Sequence, residues 1–148
     1  MCIIDRMNAL ILKSRPLVLH RVLCVCDVRG DLMNNIIKRD VLGRTIEARL
    51  TWQGKNLLVT VTGGDAAHIG SVSVCRMCGG EPRIEKILLP AHRDDVISDK
   101  FAQALAQRLN TTVCVVSGIH FDGVSKQDIA EIVRASDEML VRILASFD

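Results

Sequence analysis

From Arg44 onward the chain alternates apolar and polar residues with a period of two. Ile46, Ala48, Leu50 and Trp52 interleave with Thr45, Glu47, Arg49 and Thr51, as in a half-buried strand. Gln53-Gly54-Lys55-Asn56 reads as a turn, and residues 57–62 as the returning strand. Gly63-Gly64-Asp65 breaks that strand. A third strand follows His68, with Val72 and Val74 on one face and Ser71 and Ser73 on the other. Gly79-Gly80-Glu81-Pro82 turns the chain again, and residues 84–89 form a fourth strand. The pattern predicts an antiparallel β-meander.

Pro90 closes the meander and the period changes. Ile97, Phe101, Leu105 and Leu109 recur every four residues with Ala104 beside them, one apolar stripe of a helix that begins near Asp94. Asp94 and Asp95 suit its positive end, and Asn110 stops it. Residues 111–119 are β-branched and apolar almost throughout, which predicts a central strand covered on both faces. A second helix starts at Ser125, with Asp128 three residues on as in a capping box. Its predicted buried stripe is Ile129, Ile132, Val133, Leu140, Ile143 and Leu144. The order β-β-β-β-α-β-α defines an α+β fold, a meander followed by α-β-α with the helices packed on one sheet.

Composition narrows the function. The chain has 148 residues, enough for one domain with its own core. A net charge of +2, with basic and acidic residues interspersed, provides no stripe for a phosphate backbone. One Trp, three Phe and no Tyr argue against a platform that stacks bases. No apolar run approaches the roughly twenty residues of a membrane span. Apolar stretches at 8–12 and 17–26 are broken by Lys13, Arg15, His20 and Arg21, unlike the core of a signal peptide. Residues 1–32 are therefore expected to be an extension, an over-extended translation start or a tail. Met33 then opens the single α+β domain of residues 33–148.

Six cysteines raise the question of a disulfide or zinc framework. Cys24 and Cys26 are two apart, Cys2 and Cys114 stand alone, and Cys75-Arg76-Met77-Cys78 is the one C-x-x-C. A four-ligand zinc site needs a second pair at suitable spacing, so the cysteines are expected to be structural thiols of a reduced, cytoplasmic protein.

The chemistry points elsewhere. Three of the four histidines lie in Gly- or Pro-marked segments at strand ends: His68 in Gly63-Gly64-Asp65-Ala66-Ala67-His68-Ile69-Gly70, His92 after Leu89-Pro90-Ala91, and His120 in Gly118-Ile119-His120-Phe121-Asp122. Loops on strand ends are where a scaffold presents binding groups. The His92 and His120 segments both run into a helix N-terminus, which attracts phosphate or carboxylate, and Arg93 adds a fork of donors. Three solvated, unrelated loop histidines are the bland reading of the same residues. A three-histidine zinc or iron site needs all rings within about 2 Å of one point, and no metal is expected. Ser117 and Ser125 flank His120, but no G-x-S-x-G elbow is present, and neither a G-x-G-x-x-G turn nor a P-loop occurs.

In order and spacing, Gly63-Gly64…His68-Ile69-Gly70 with its following strand, Ala91-His92-Arg93-Asp94, and Gly118-Ile119-His120…Asp122 before a C-terminal helix resemble the bacterial proteasome-assembly-chaperone-like family. That family is typified by the prenylated-flavin chaperone, the D component, of gallate decarboxylase. The resemblance covers about residues 40–147. It implies a non-catalytic protein that binds prenylated FMN and delivers it to a UbiD-type decarboxylase of gallate- or hydroxybenzoate-like acids. It further implies cofactor contacts from Gly63, Gly64, His68, Ile69, Gly70, His92, Arg93, His120 and Asp122. In that reading the histidines are polar contacts and Arg93 meets the phosphate. Ile69 and Ile119 support the ring, and Asp122 orients His120 or the entrance to the second helix. Ala91 departs from the pattern, which calls for Gly before His92. Other readings are a protein–protein assembly module without a ligand, a decarboxylase accessory subunit, or an enzyme using a histidine in acid–base chemistry. Open sheet edges also lead to the expectation of a homodimer.

Overall fold

The computed structural model describes residues 36–148. Strands β1 (Ile36–Val41), β2 (Arg44–Gln53), β3 (Asn56–Gly64), β4 (Ser71–Cys78) and β5 (Glu81–Leu88) come first. Helix α1 (Asp95–Leu109), strand β6 (Val113–His120) and helix α2 (Lys126–Ala145) follow. The fold is α+β, as the residue pattern predicts, with one mixed sheet of six strands in the order β1-β2-β3-β6-β4-β5. The extension expected at residues 1–32 lies outside the described residues.

The structure refines the expected meander in two ways. Strand β1 is added at one edge, where consecutive Lys38, Arg39 and Asp40 hide the alternation. Strand β6 inserts between β3 and β4, parallel to the first and antiparallel to the second. The meander is thus β1-β2-β3, and β4-β5 is a separate hairpin beyond β6. An apolar run such as β6 is most favourable in the middle of a sheet, where both neighbours satisfy its backbone.

The core lies between one sheet face and the helices. Leu50, Val59, Val115 and Ser73 stand in one row across four strands, and Ala48, Val61, Ser117 and Ser71 in the next. Phe101 and Leu105 of α1 and Met139 and Ile143 of α2 cover them and are almost fully buried. Salt bridges join Lys100 to Asp137 between the helices and Arg39 to Glu138 between β1 and α2. Only this face of β6 is under the helices. Cys114 and Val116 on its other face are half-buried, so the expected double coverage is not what the described residues form.

In β4 it is the serines that turn inward. Ser71 and Ser73 each lie 2.8 Å from the Ser98 hydroxyl of α1, and Ser73 donates to Asp99 Oδ1 at 2.6 Å. With that proton committed, Ser98 donates to Ser73 and Ser71 donates to Ser98, a one-way relay from strand to helix. Small side chains let α1 lie close to β4, while Val72 and Val74 face the other way. Cys75 and Cys78, three apart on a strand, point to opposite faces and are free thiols. Burial pushes the Cys75 thiol up from its ordinary value. No helix among the described residues is long and apolar enough to cross a membrane.

Replacing Ser98 by Ala leaves the buried Ser71 hydroxyl without its Ser98 partner and Ser73 with Asp99 alone. Urea denaturation is expected to show a loss of about 1–3 kcal/mol, with Cys78→Ser within about 0.5 kcal/mol of the parent.

Candidate functional site

Because β3 and β6 are parallel and in register, they finish together, Gly63 beside Ile119 and Gly64 beside His120. The segment that follows β3 folds back over the end of β6. A Cβ on Gly64 would meet the His120 carbonyl at 2.0 Å, and one on Gly118 would meet the His68 carbonyl at 2.0 Å. Only glycine permits both approaches. The Asp65 N–H donates to His120 O at 2.6 Å and the Gly70 N–H to Ser117 O at 2.8 Å, pinning the segment at both ends. The Asp65 carboxylate accepts from Arg44 Nε at 2.7 Å and from the Asp122 N–H at 2.9 Å. These donors, the Asp122 N–H foremost, hold the Asp65 carboxyl below its ordinary value.

This fold-back delivers His68 to the end of the hairpin. His68 Nε2 lies 3.1 Å from His92 Nδ1, with ring centroids 4.7 Å apart. His92 sits in the short link between β5 and α1, where Ala91 has φ +64°, the left-handed region in which glycine is strain-free. The departure from Gly at this position therefore leaves a strained alanine in a loop of glycine shape. Asp94 is the N-cap residue of α1, but its side chain does not cap the helix. Instead Oδ1 accepts the Ile119 N–H at 2.9 Å, and Oδ2 lies 3.7 Å from His68 Nε2 and 3.4 Å from His92 Nδ1. His120 stands apart, its ring 6.1 Å from that of His68 and its Nε2 2.9 Å from Asp122 Oδ1.

Beside these groups opens a cavity of about 450 Å³ between the starts of α1 and α2. Its wall is apolar, including Ile97, Ile119, Phe121 and Val124, while Arg93, Asp94 and His120 mark a polar edge. The volume falls in the range of small-molecule sites, roughly 300–1,000 Å³. The two helix N-termini differ as anion sites. That of α2 is closed by its own capping box, Ser125 to Asp128, which also holds the Asp128 carboxyl low. That of α1 carries no side-chain cap hydrogen bond.

All the residues picked from the sequence lie at this one end of the sheet. Gly63 and Gly64 end β3; His68, Ile69 and Gly70 form the fold-back; His92 and Arg93 precede α1; His120 and Asp122 end and follow β6. The rings of His68 and His92 meet, with His120 in the next position. Ile69 is 58% exposed and is not part of the cavity lining, whereas Ile119 lines it. Sequence reasoning missed the carboxylate of Asp94 as partner of both histidines, because its place beside β6 depends on the strand insertion. It also placed Ile129 in a buried stripe. Ile129 is 51% exposed and, with Val133, lines the cavity. The clue for Ile129 was its position in the first turn of α2, close to the His120 segment.

Comparison with known proteins agrees with this architecture. The fold is similar to that of a chain in the crystal structure of a novel chaperone complex for yeast 20S proteasome assembly. The TM-score is 0.52 at 12% identity, covering 78% of this chain and 100% of that one. Residues 41–148 match the prenylated flavin chaperone LpdD-like domain, and the chain belongs to that family. Among its relatives is Protein LpdD of Lactiplantibacillus plantarum, 28% identical over 108 residues, which are 70% of this chain and 77% of that protein.

Two predictions test the site's framework. Ala91→Gly is expected to hold or slightly raise stability, whereas Ala91→Val, a branched residue forced to the same φ, is expected to cost at least about 1 kcal/mol in denaturant unfolding. The second concerns acid. A lowered folded-state value means that Asp65 adds stability above the ordinary 3.8 and loses it as pH falls through the lowered value. Asp65→Asn should therefore melt below the parent at neutral pH, with the gap closing in acid.

Proposed function

We propose that this protein is a non-catalytic, cytoplasmic carrier of prenylated FMN that delivers the cofactor to a UbiD-type aromatic-acid decarboxylase. The observation that carries the reading is the apolar cavity with Arg93 and His120 on its edge, beside an uncapped helix start. Membership of a prenylated flavin chaperone family supports it. A flavin mononucleotide combines a flat apolar body, a polar ring edge and a phosphate. Ile119 and Phe121 suit the body, Arg93 and the start of α1 suit the phosphate, and His120 steadied by Asp122 suits the polar edge. His68 and His92 stand beside the cavity, next to Asp94 of its lining, and Gly63 and Gly64 let backbone approach backbone at the strand end that carries His120.

A carrier must release what it binds, and a cavity that opens to solvent suits that better than an enclosed pocket. Membership of a chaperone family supports a binding role over acid–base catalysis. His120 and Asp122 are both well exposed, and nothing in the described residues excludes water from them. We assign a second copy of this chain and the decarboxylase as its protein partners. The fold likeness to a proteasome-assembly chaperone complex favours a competing reading, an assembly module without any ligand.

The test is a titration of the full chain with prenylated FMN and with FMN. Saturable binding that prefers the prenylated form is expected, weakened at least about tenfold in Arg93→Ala and in His120→Ala. Absence of saturable flavin binding by a folded sample would overturn the carrier and leave the assembly module.

A further inference from the structure

We propose that His68, His92 and Asp94 form a binding site for a divalent first-row transition metal, with zinc the ion their donors suit best. The three-histidine set weighed from the sequence is not the one the fold assembles. His120 is turned to Asp122, and its place is taken by the carboxylate of Asp94.

The donor geometry carries the proposal. His68 Nε2, His92 Nδ1 and Asp94 Oδ2 form a triangle with sides of 3.1, 3.4 and 3.7 Å. Ligands about 2.0–2.1 Å from a tetrahedral ion stand about 3.3–3.4 Å apart, which is the middle of that range. The three atoms lie within 4.8 Å of one another, and all three residues are partly buried. Two imidazoles and one carboxylate are a donor set for zinc, cobalt or nickel, while calcium and magnesium call for oxygens alone.

The outer partners are arranged in the same sense. His68 Nδ1 lies 3.2 Å from the Ala66 carbonyl, so it carries the ring proton and leaves the Nε2 lone pair facing the other donors. The Ile119 N–H occupies Asp94 Oδ1, which leaves Oδ2 for the ion. Space is kept open by Gly70, where a Cβ would stand 2.0 Å from Asp94 Oδ2 and 3.0 Å from His92 Nδ1. In the metal-free cluster His92 Nδ1 stands between His68 Nε2 at 3.1 Å and Asp94 Oδ2 at 3.4 Å. The ion takes the place between these atoms, and His92 binds it as a neutral imidazole whose ring proton sits on Nε2. Three protein ligands leave a fourth position for water or an anionic group. Asp94 also lines the neighbouring cavity, but the proposal does not rest on the flavin reading.

The test uses the full chain, reduced and stripped of metal, with no flavin present. Zn²⁺ alone is titrated by calorimetry and Co²⁺ alone by visible absorption. One ion per chain is expected at this site, with a four-coordinate Co²⁺ spectrum free of thiolate-to-cobalt bands. Affinity should fall at least about 100-fold in His92→Ala and in Asp94→Asn, more than the loss of an outer partner causes. Asn keeps an oxygen for the Ile119 N–H, and circular dichroism verifies that each variant is folded. Gly70→Ala should weaken binding without removing a ligand, and His120→Ala should leave it unchanged. Absence of binding, a thiolate signature alone, or equal affinity in folded His92→Ala and Asp94→Asn overturns the proposal.

Discussion

The parallel register of β3 and β6 is the constraint on which the rest of the structure depends. Pairing Gly64 with His120 brings the carboxyl ends of two strands to one level. The chain leaving β3 then has no course except back across β6 toward β4. Asp65 and Gly70 donate to β6 carbonyls along that course. Sliding β6 by one residue would turn its apolar row away from the helices and carry the Ile119 N–H away from Asp94. Fold and site are thus specified by the same set of backbone hydrogen bonds.

The parts of this arrangement that are local were legible in the sequence. Alternation in residues 45–52 and the four-residue spacing from Ile97 depend only on each element's own period. The capping box of Ser125 and Asp128 is likewise written in four consecutive residues. The histidine segments stood out because strand ends are marked by Gly and Pro. Insertion of β6 between β3 and β4 is a non-local choice, and adjacent residues carry no record of it. The inward serines of β4 are a second case. Polarity alone favours valines inside, and only the presence of Ser98 on α1 makes the serine face the better one to bury. Asp94 and Ile129 were misjudged for the same reason, since each has its partner on a distant element.

The site end divides into two chemically distinct halves. On one side His68, His92 and Asp94 form a compact polar cluster anchored to backbone groups of the fold-back and of β6. On the other, apolar residues from β6 and both helices line a cleft with Arg93 and His120 at its edge. Asp94 belongs to both halves, so a charge placed on either is felt by the other through one carboxylate. Electrostatic communication over such short distances is only weakly screened by salt.

The serine relay between β4 and α1 has a mechanical meaning as well. Its hydroxyls hand protons on in a single direction, and Asp99 at the end can only accept. Rotating α1 about its axis, or sliding it by a turn, would break every link together rather than one at a time. The relay therefore works as an index pin that fixes the helix against the strand at one setting. Since Asp94 stands at the head of α1, the carboxylate inherits that setting from the core.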